Sequence, residues 1–221
     1  MNEFIDMFSS SDPTNVSTSI KLILLLTVFS LAPGILILMT SFTRIIIVLS
    51  FVRTSLATQQ MPPNQVLIGL ALFLTFFIMA PTFSEVYEEG LQPLFNEEIT
   101  LDEAYELTSA PMKEFMAEHT RQKDLALFLS YAEIETPGSI QDIPLTALVP
   151  AFAISELKTA FQMGFMIFIP FLIIDMAVAS ILMSMGMMML PPVMISLPFK
   201  ILLFVMVDGW YLITHSLLTG Y

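Results

Sequence analysis

Hydrophobic positions in this chain fall in long blocks, and only the middle of the sequence shows an amphipathic rhythm. Leu22 to Thr43 carries no charge over 22 residues, and about 20 apolar residues cross a bilayer core as a helix. Pro33-Gly34 interrupts this run, because proline removes a backbone hydrogen bond and kinks or breaks a helix. Between Arg44 and Arg53 only Ser50 is polar. Met61-Pro62-Pro63-Asn64 reads as a turn, and Val66 to Pro81 is again uncharged. Beyond Pro144 the apolar pattern returns. Pro150 is read as opening a helix at Ala151. Thr159 to Ile174 carries no charge, Asp175 interrupts, and Met176 to Phe199 is uncharged. Pro170, Pro191-Pro192 and Pro198 are expected to break this stretch.

Between Thr82 and Asp142 the rhythm is helical. Met112, Phe115, Met116 and His119 share one face, as do Leu125, Phe128, Leu129 and Ala132. Thr136-Pro137-Gly138 closes the second helix. The pattern predicts an all-α membrane protein of Pro-broken apolar helical hairpins. Residues 1–19 form a polar segment, 20–81 a first apolar hairpin, 82–142 a small acidic helical domain, and 143–221 a second apolar hairpin with a Met-rich loop. Helices broken in hydrocarbon need protein or a wet cavity to satisfy the freed backbone groups, so these are expected to pack on partners.

Composition sharpens the class. Charged residues make up 13 % and hydrophobic ones 56 %, whereas soluble domains carry about 25 % charged residues. An ordinary soluble enzyme and a disordered tail are both excluded. Cysteine is absent and histidine occurs twice, so no disulfide, metal site or cofactor is expected. The net charge is −12, and residues 82–142 hold 14 acids against 3 bases. That segment is the expected water-facing domain, and its sign excludes nucleic acid as a partner. Arg44 and Arg53, read as loop bases, put the first hairpin tip in the cytoplasm and the acidic domain outside. The start of the chain is acidic, so no cleavable signal is expected.

Several residues invite a chemical reading. Asp175 and Asp208 lie in apolar surroundings, where an acid suggests ion coupling or a helix-end contact. Glu156 and Lys200 are a candidate ion pair, within or between subunits, unless each snorkels to the interface. Phe115 and Phe128 are subunit contacts or packing inside the small domain. Met187-Met188-Met189 precedes Leu190-Pro191-Pro192. Methionine is flexible and soft, and a ring of such side chains would close a pore to water and ions.

The stretch Ser41-Phe42-Thr43-Arg44-Ile45-Ile46-Ile47-Val48-Leu49-Ser50-Phe51-Val52-Arg53, with Gln59-Gln60-Met61-Pro62-Pro63-Asn64, resembles the FliP family of flagellar export proteins. Pro150-Ala151-Phe152, Ser155-Glu156-Leu157-Lys158-Thr159-Ala160-Phe161, the Met187 to Pro192 motif and Pro198-Phe199-Lys200 extend the likeness over both apolar halves. The resemblance implies a non-enzymatic subunit of the type III export gate. It implies a pentamer with FliQ and FliR, and FlhB and FlhA as neighbours, in a helical cone at the flagellar base in the cytoplasmic membrane. Unfolded flagellar proteins would pass through, and Met187, Met188 and Met189 would seal the pore. Injectisome proteins share the fold, and the Gln59 to Asn64 motif selects the flagellar branch. The rival reading is an ion or small-molecule transporter using Asp175 and Asp208.

Overall fold

The computed structural model describes residues 37–58, 60–135, 137–187 and 190–221, with 23, 26, 27, 30 and 33–35 besides. The polar segment 1–19, together with Met188 and Met189, lies outside the described residues. The chain divides into two units, Met1–Ile37 and Leu38–Tyr221. In the first, Pro33, Gly34 and Ile35 are helical, and the Thr27 hydroxyl donates to the Ile23 carbonyl at 2.8 Å.

The second unit is helical, with no strand among the described residues. Its elements are α1 (Phe42–Ser55), α2 (Asn64–Glu85), a π-helical turn (Val86–Leu91), α3 (Gln92–Phe95), α4 (Leu101–Glu118), α5 (Gln122–Tyr131), α6 (Leu145–Ser184), α7 (Pro192–Met206) and α8 (Gly209–Leu218). Among the described residues two helical stretches, Asn64–Phe95 and Leu145–Ser184, are long and apolar enough to cross a membrane. The number rises to as many as four if bent pairs count as single spans, α7 and α8 being one such pair at 61°.

The prolines break less than expected. Pro81 lies inside α2, Pro150 and Pro170 inside α6, and Pro198 inside α7. Helix α6 starts at Leu145 behind Pro144, not at Ala151. A single proline deletes one donor from a long ladder, and apolar helices tolerate that. Two in a row do more, since a residue before proline is driven out of the helical region. Accordingly the Pro62-Pro63 and Pro191-Pro192 pairs stand at the two turns, and Pro191 is extended with ψ 117°.

Helix α1 is the hub. Ile45, Val48, Leu49 and Val52 recur at helical spacing and are all buried. Its widest contact is with α6, ahead of α2, so the two apolar halves interleave. On α6 the residues Leu148, Phe152, Glu156, Ala160 and Gly164 follow at four-residue intervals and are all buried. The last two are small because α1 comes close. A Cβ on Gly164 would lie 2.4 Å from the Phe51 ring and 2.9 Å from Phe51 Cβ. The ring is blocked near its root, so it cannot swing clear. Gly164→Ala is therefore expected to cost about 1–3 kcal/mol, read as a lowered thermal midpoint in mild detergent. An unchanged midpoint would mean that α1 and α6 are further apart than described.

Two apolar clusters result. One joins α1, α2, α6, α7 and α8 through Ile45, Leu67, Phe171, Phe204 and Leu217. The other joins the end of α2, α4 and the start of α6 through Met79, Phe115, Met116, Leu148 and Phe152. Helix α4 is set by a reciprocal cap, with the Thr100 hydroxyl accepting from the Glu103 N–H and the Glu103 carboxylate accepting from the Thr100 N–H at 2.8 Å. It packs on the π-helical turn, where Gly90 leaves room for the Thr108 methyl. The acidic segment is thus bound into the bundle through α4 and α5.

Candidate functional site

Between the two clusters lie charges in a place where hydrocarbon would be expected. Arg44 is in the first turn of α1 and Glu156 in the buried stripe of α6; they are 4 % and 0 % exposed. Arg44 Nε donates to Glu156 Oε2 at 2.9 Å, and Arg44 Nη2 meets Glu156 Oε1. This two-pronged contact is the geometry that suits guanidinium to carboxylate. The third guanidinium nitrogen, Nη1, donates to the Gly220 carbonyl at 2.7 Å. The Tyr221 hydroxyl donates to Glu156 Oε2. Its ring lies under the guanidinium, 3.8 Å from Cζ to centroid, and stacks on Phe115 with an interplanar angle of 13°. Burial first, and the Glu156 carboxylate next, push the Tyr221 phenol above its ordinary range. It therefore keeps its proton for donation.

A second pair ties α6 to α7. Lys200 Nζ donates to Asp175 Oδ2 at 2.6 Å, and the Ser196 hydroxyl donates to Asp175 Oδ1. Lys200 is buried while Asp175 is partly open. Ser196 and Lys200 are one helical turn apart, so both reach one carboxylate.

These contacts bear on four of the readings made from the sequence. Glu156 and Lys200 are not joined within the chain, because each faces a nearer partner of opposite charge. Arg44 is not a loop base. It is a helical residue with a buried partner, so it does not count toward orientation. Phe115, read as a subunit contact or as packing inside the small domain, sits in the second cluster against His119 of that domain and against Phe152 and Tyr221 beyond it. Asp208 does not join Asp175 as a coupling pair: it is exposed at the bend before α8, in the left-handed region at φ 50°. Phe128 is half-buried on α5.

Sequence reasoning missed Arg44 and Tyr221 as partners of Glu156. A signal existed for the first. Arg44 follows 22 uncharged residues and precedes eight more, which is a helix environment rather than a loop. Nothing local marks Tyr221.

The Met-rich tip lies between α6 and α7. Helix α6 ends at Ser184, Gly186 turns the chain with φ 74°, and Met187 follows. Met183, Met185, Met187 and Met194 all project from the tip with more than a third of their surface open. Among the described residues, no group of three or more His, Cys, Asp or Glu is placed to hold a metal ion.

A sequence model of the FliP family matches residues 25–217. The chain belongs to the FliP family. It is similar, at 78 % identity over 221 residues and the whole of both chains, to the flagellar biosynthetic protein FliP of Bacillus subtilis. It is 54 % identical over 202 residues to the FliP of Caulobacter vibrioides, covering 91 % of this chain and 76 % of the relative. The FliP of Pectobacterium carotovorum is 54 % identical over 199 residues, covering 90 % of this chain and 77 % of the relative. Membership and the apolar helices make this a membrane protein of flagellum biogenesis and protein export.

Proposed function

We propose that this FliP-family chain is a pore-forming subunit of the flagellar export gate, passing unfolded flagellar proteins across the bacterial cytoplasmic membrane at the base of the flagellum. The observation that carries the reading is the open cluster of methionines at the α6–α7 tip. Such side chains have little business in water, and they suit a throat that must close on itself and yield to varied cargo. Met187 would belong to the seal, with Met188 and Met189 beside it. The role is structural and conductive, with no bond made or broken by the chain.

The dimensions favour a ring of copies standing partly clear of the bilayer. At 1.5 Å per residue the 40 residues of α6 run about 60 Å, and the hydrocarbon core is about 30 Å thick. Half of α6 must leave the core or tilt steeply. Many large apolar side chains on α2, α6 and α7 are open in the single chain, among them Phe73, Phe77, Phe165 and Val205. This is surface for further copies, for FliQ and FliR, for FlhA and FlhB, and for lipid. The acidic segment would face the extracytoplasmic side, with Arg53 as the remaining base near the first turn.

The test is contact with cargo. A photo-crosslinking residue in place of Met187, in cells carrying a flagellar substrate stalled in transit, is expected to capture that substrate. The same residue at Tyr131, which is 91 % exposed on α5, is expected to capture far less. Equal yields at the two positions would remove Met187 from the path.

A further inference from the structure

We propose that Arg121, Lys123 and Lys158 bind the phosphate of an anionic phospholipid headgroup. Bases are scarce here, with eight Lys and Arg against twenty Asp and Glu, so their placement is informative. Arg44 holds the buried Glu156 and Lys200 the partly open Asp175, Arg53 donates to Asn64, and Lys113 Nζ donates to the Gln141 carbonyl at 2.7 Å. Three others converge. Arg121 and Lys123 stand at the start of α5, where the Arg121 N–H donates to the Ser155 hydroxyl of α6 at 3.1 Å, and Lys158 follows Ser155 by three residues on that helix.

Among the described residues one carboxylate, that of Asp124, is paired with them. Asp124 takes Arg121 Nη2 at 2.6 Å and the Ser155 hydroxyl at 2.7 Å. Three cations against that single acid leave a positive excess, which an added anion would relieve. Two features of the same spot add to this. Arg121 Nε is buried without a hydrogen-bond partner. Helix α5 begins here with no side-chain cap, and its positive dipole end favours an anion.

The residues after Lys158 select a lipid over a free ion. Thr159 to Ile174 carries no charge, so Lys158 marks the border of the apolar part of α6. Phe161 and Phe165 come three and seven residues later on the same face and are 56 % and 61 % exposed. A headgroup held by the bases would lay its acyl chains along those rings. Elsewhere the segment 82–142, with its 14 acids, repels an anionic lipid, which confines the contact to this corner.

The experiment uses the full-length protein, with the complex it forms, extracted in gentle detergent and offered phosphatidylglycerol or phosphatidylcholine. Native mass spectrometry counts the lipids retained. A base beside a membrane contributes roughly fivefold in affinity, so a preference for phosphatidylglycerol of at least about tenfold is expected. Arg121→Gln, Lys123→Gln and Lys158→Gln together should bring the ratio to about one. Lys123→Gln alone, at an exposed side chain, should lower it severalfold and serves if the triple variant does not fold. A wild-type protein without preference, or variants that keep it, would overturn the proposal. Inorganic phosphate that displaces phosphatidylglycerol as readily as added phosphatidylglycerol does would make this a free-anion site and overturn the lipid. Variants that keep the lipid but shed subunits would make it a contact with another copy's acids, and would overturn it equally.

Discussion

Arg44→Met will leave Glu156 in the core without its counter-ion, with the Tyr221 hydroxyl still donating to it, and the protein will lose about 3–5 kcal/mol of stability. The size follows from burial. A charge stripped of both water and counter-ion costs several kcal/mol even after the structure relaxes. Glu156→Leu strands the guanidinium instead, although Gly220 and the Tyr221 ring still hold it, so its loss should fall at the low end of that range. The double variant Arg44→Met, Glu156→Leu should recover most of the loss, because apolar groups of similar volume often replace a buried pair without cost. Thermal midpoints of the detergent-extracted protein and its steady-state level in membranes are the readouts. If either single variant matches the wild type within about 1 kcal/mol, the pair is wet and contributes like a surface bridge.

The second large effect concerns the tip. Replacing Met187, Met188 and Met189 together with Ala should make membranes carrying the assembled gate leak small ions, by roughly tenfold or more over the wild type. Each exchange removes three heavy atoms from a constriction that excludes water by lack of room and lack of polar groups. Leucine at the same positions should hold ions back, since bulk is kept. It should also slow export, because a branched side chain adapts less readily than a thioether. Ion flux in cells expressing the gate, alongside secretion of a flagellar substrate, separates the two. Unchanged leak and unchanged export with three alanines would count against a methionine seal.

The helical, membrane-embedded character could be read from the chain because it rests on bulk quantities. Few charges and long apolar runs leave little choice in a medium that cannot satisfy open backbone groups. The two Pro pairs were legible as turns for a local reason, namely two missing donors side by side. The single prolines were not, since whether one missing bond ends a helix depends on the ladder around it. The cap at Thr100 was not read, although Thr100-Leu101-Asp102-Glu103 carries the local signal for it. Ionic partners were the hardest part. Arg44 and Glu156 are 112 residues apart, and a hydropathy scan treats each charge as an isolated penalty. Lys200 and Asp175 are only 25 apart, yet their pairing depends on how α6 and α7 lie against each other. The likeness to FliP carried the functional reading, and it did so through motifs rather than through any pairing.

The aromatic cover over the Arg44–Glu156 pair has a consequence for biosynthesis. Guanidinium and carboxylate are both present once translation has passed Glu156, but Gly220 and Tyr221 come some 65 residues later. Until the ribosome delivers them, the nascent bundle carries this buried ion pair without the Gly220 acceptor, the Tyr221 donor and the Tyr221 ring. Tight closure of the core therefore waits on the synthesis of Gly220 and Tyr221, and a chain stopped short of them would offer quality-control proteases a hydrated opening next to α1.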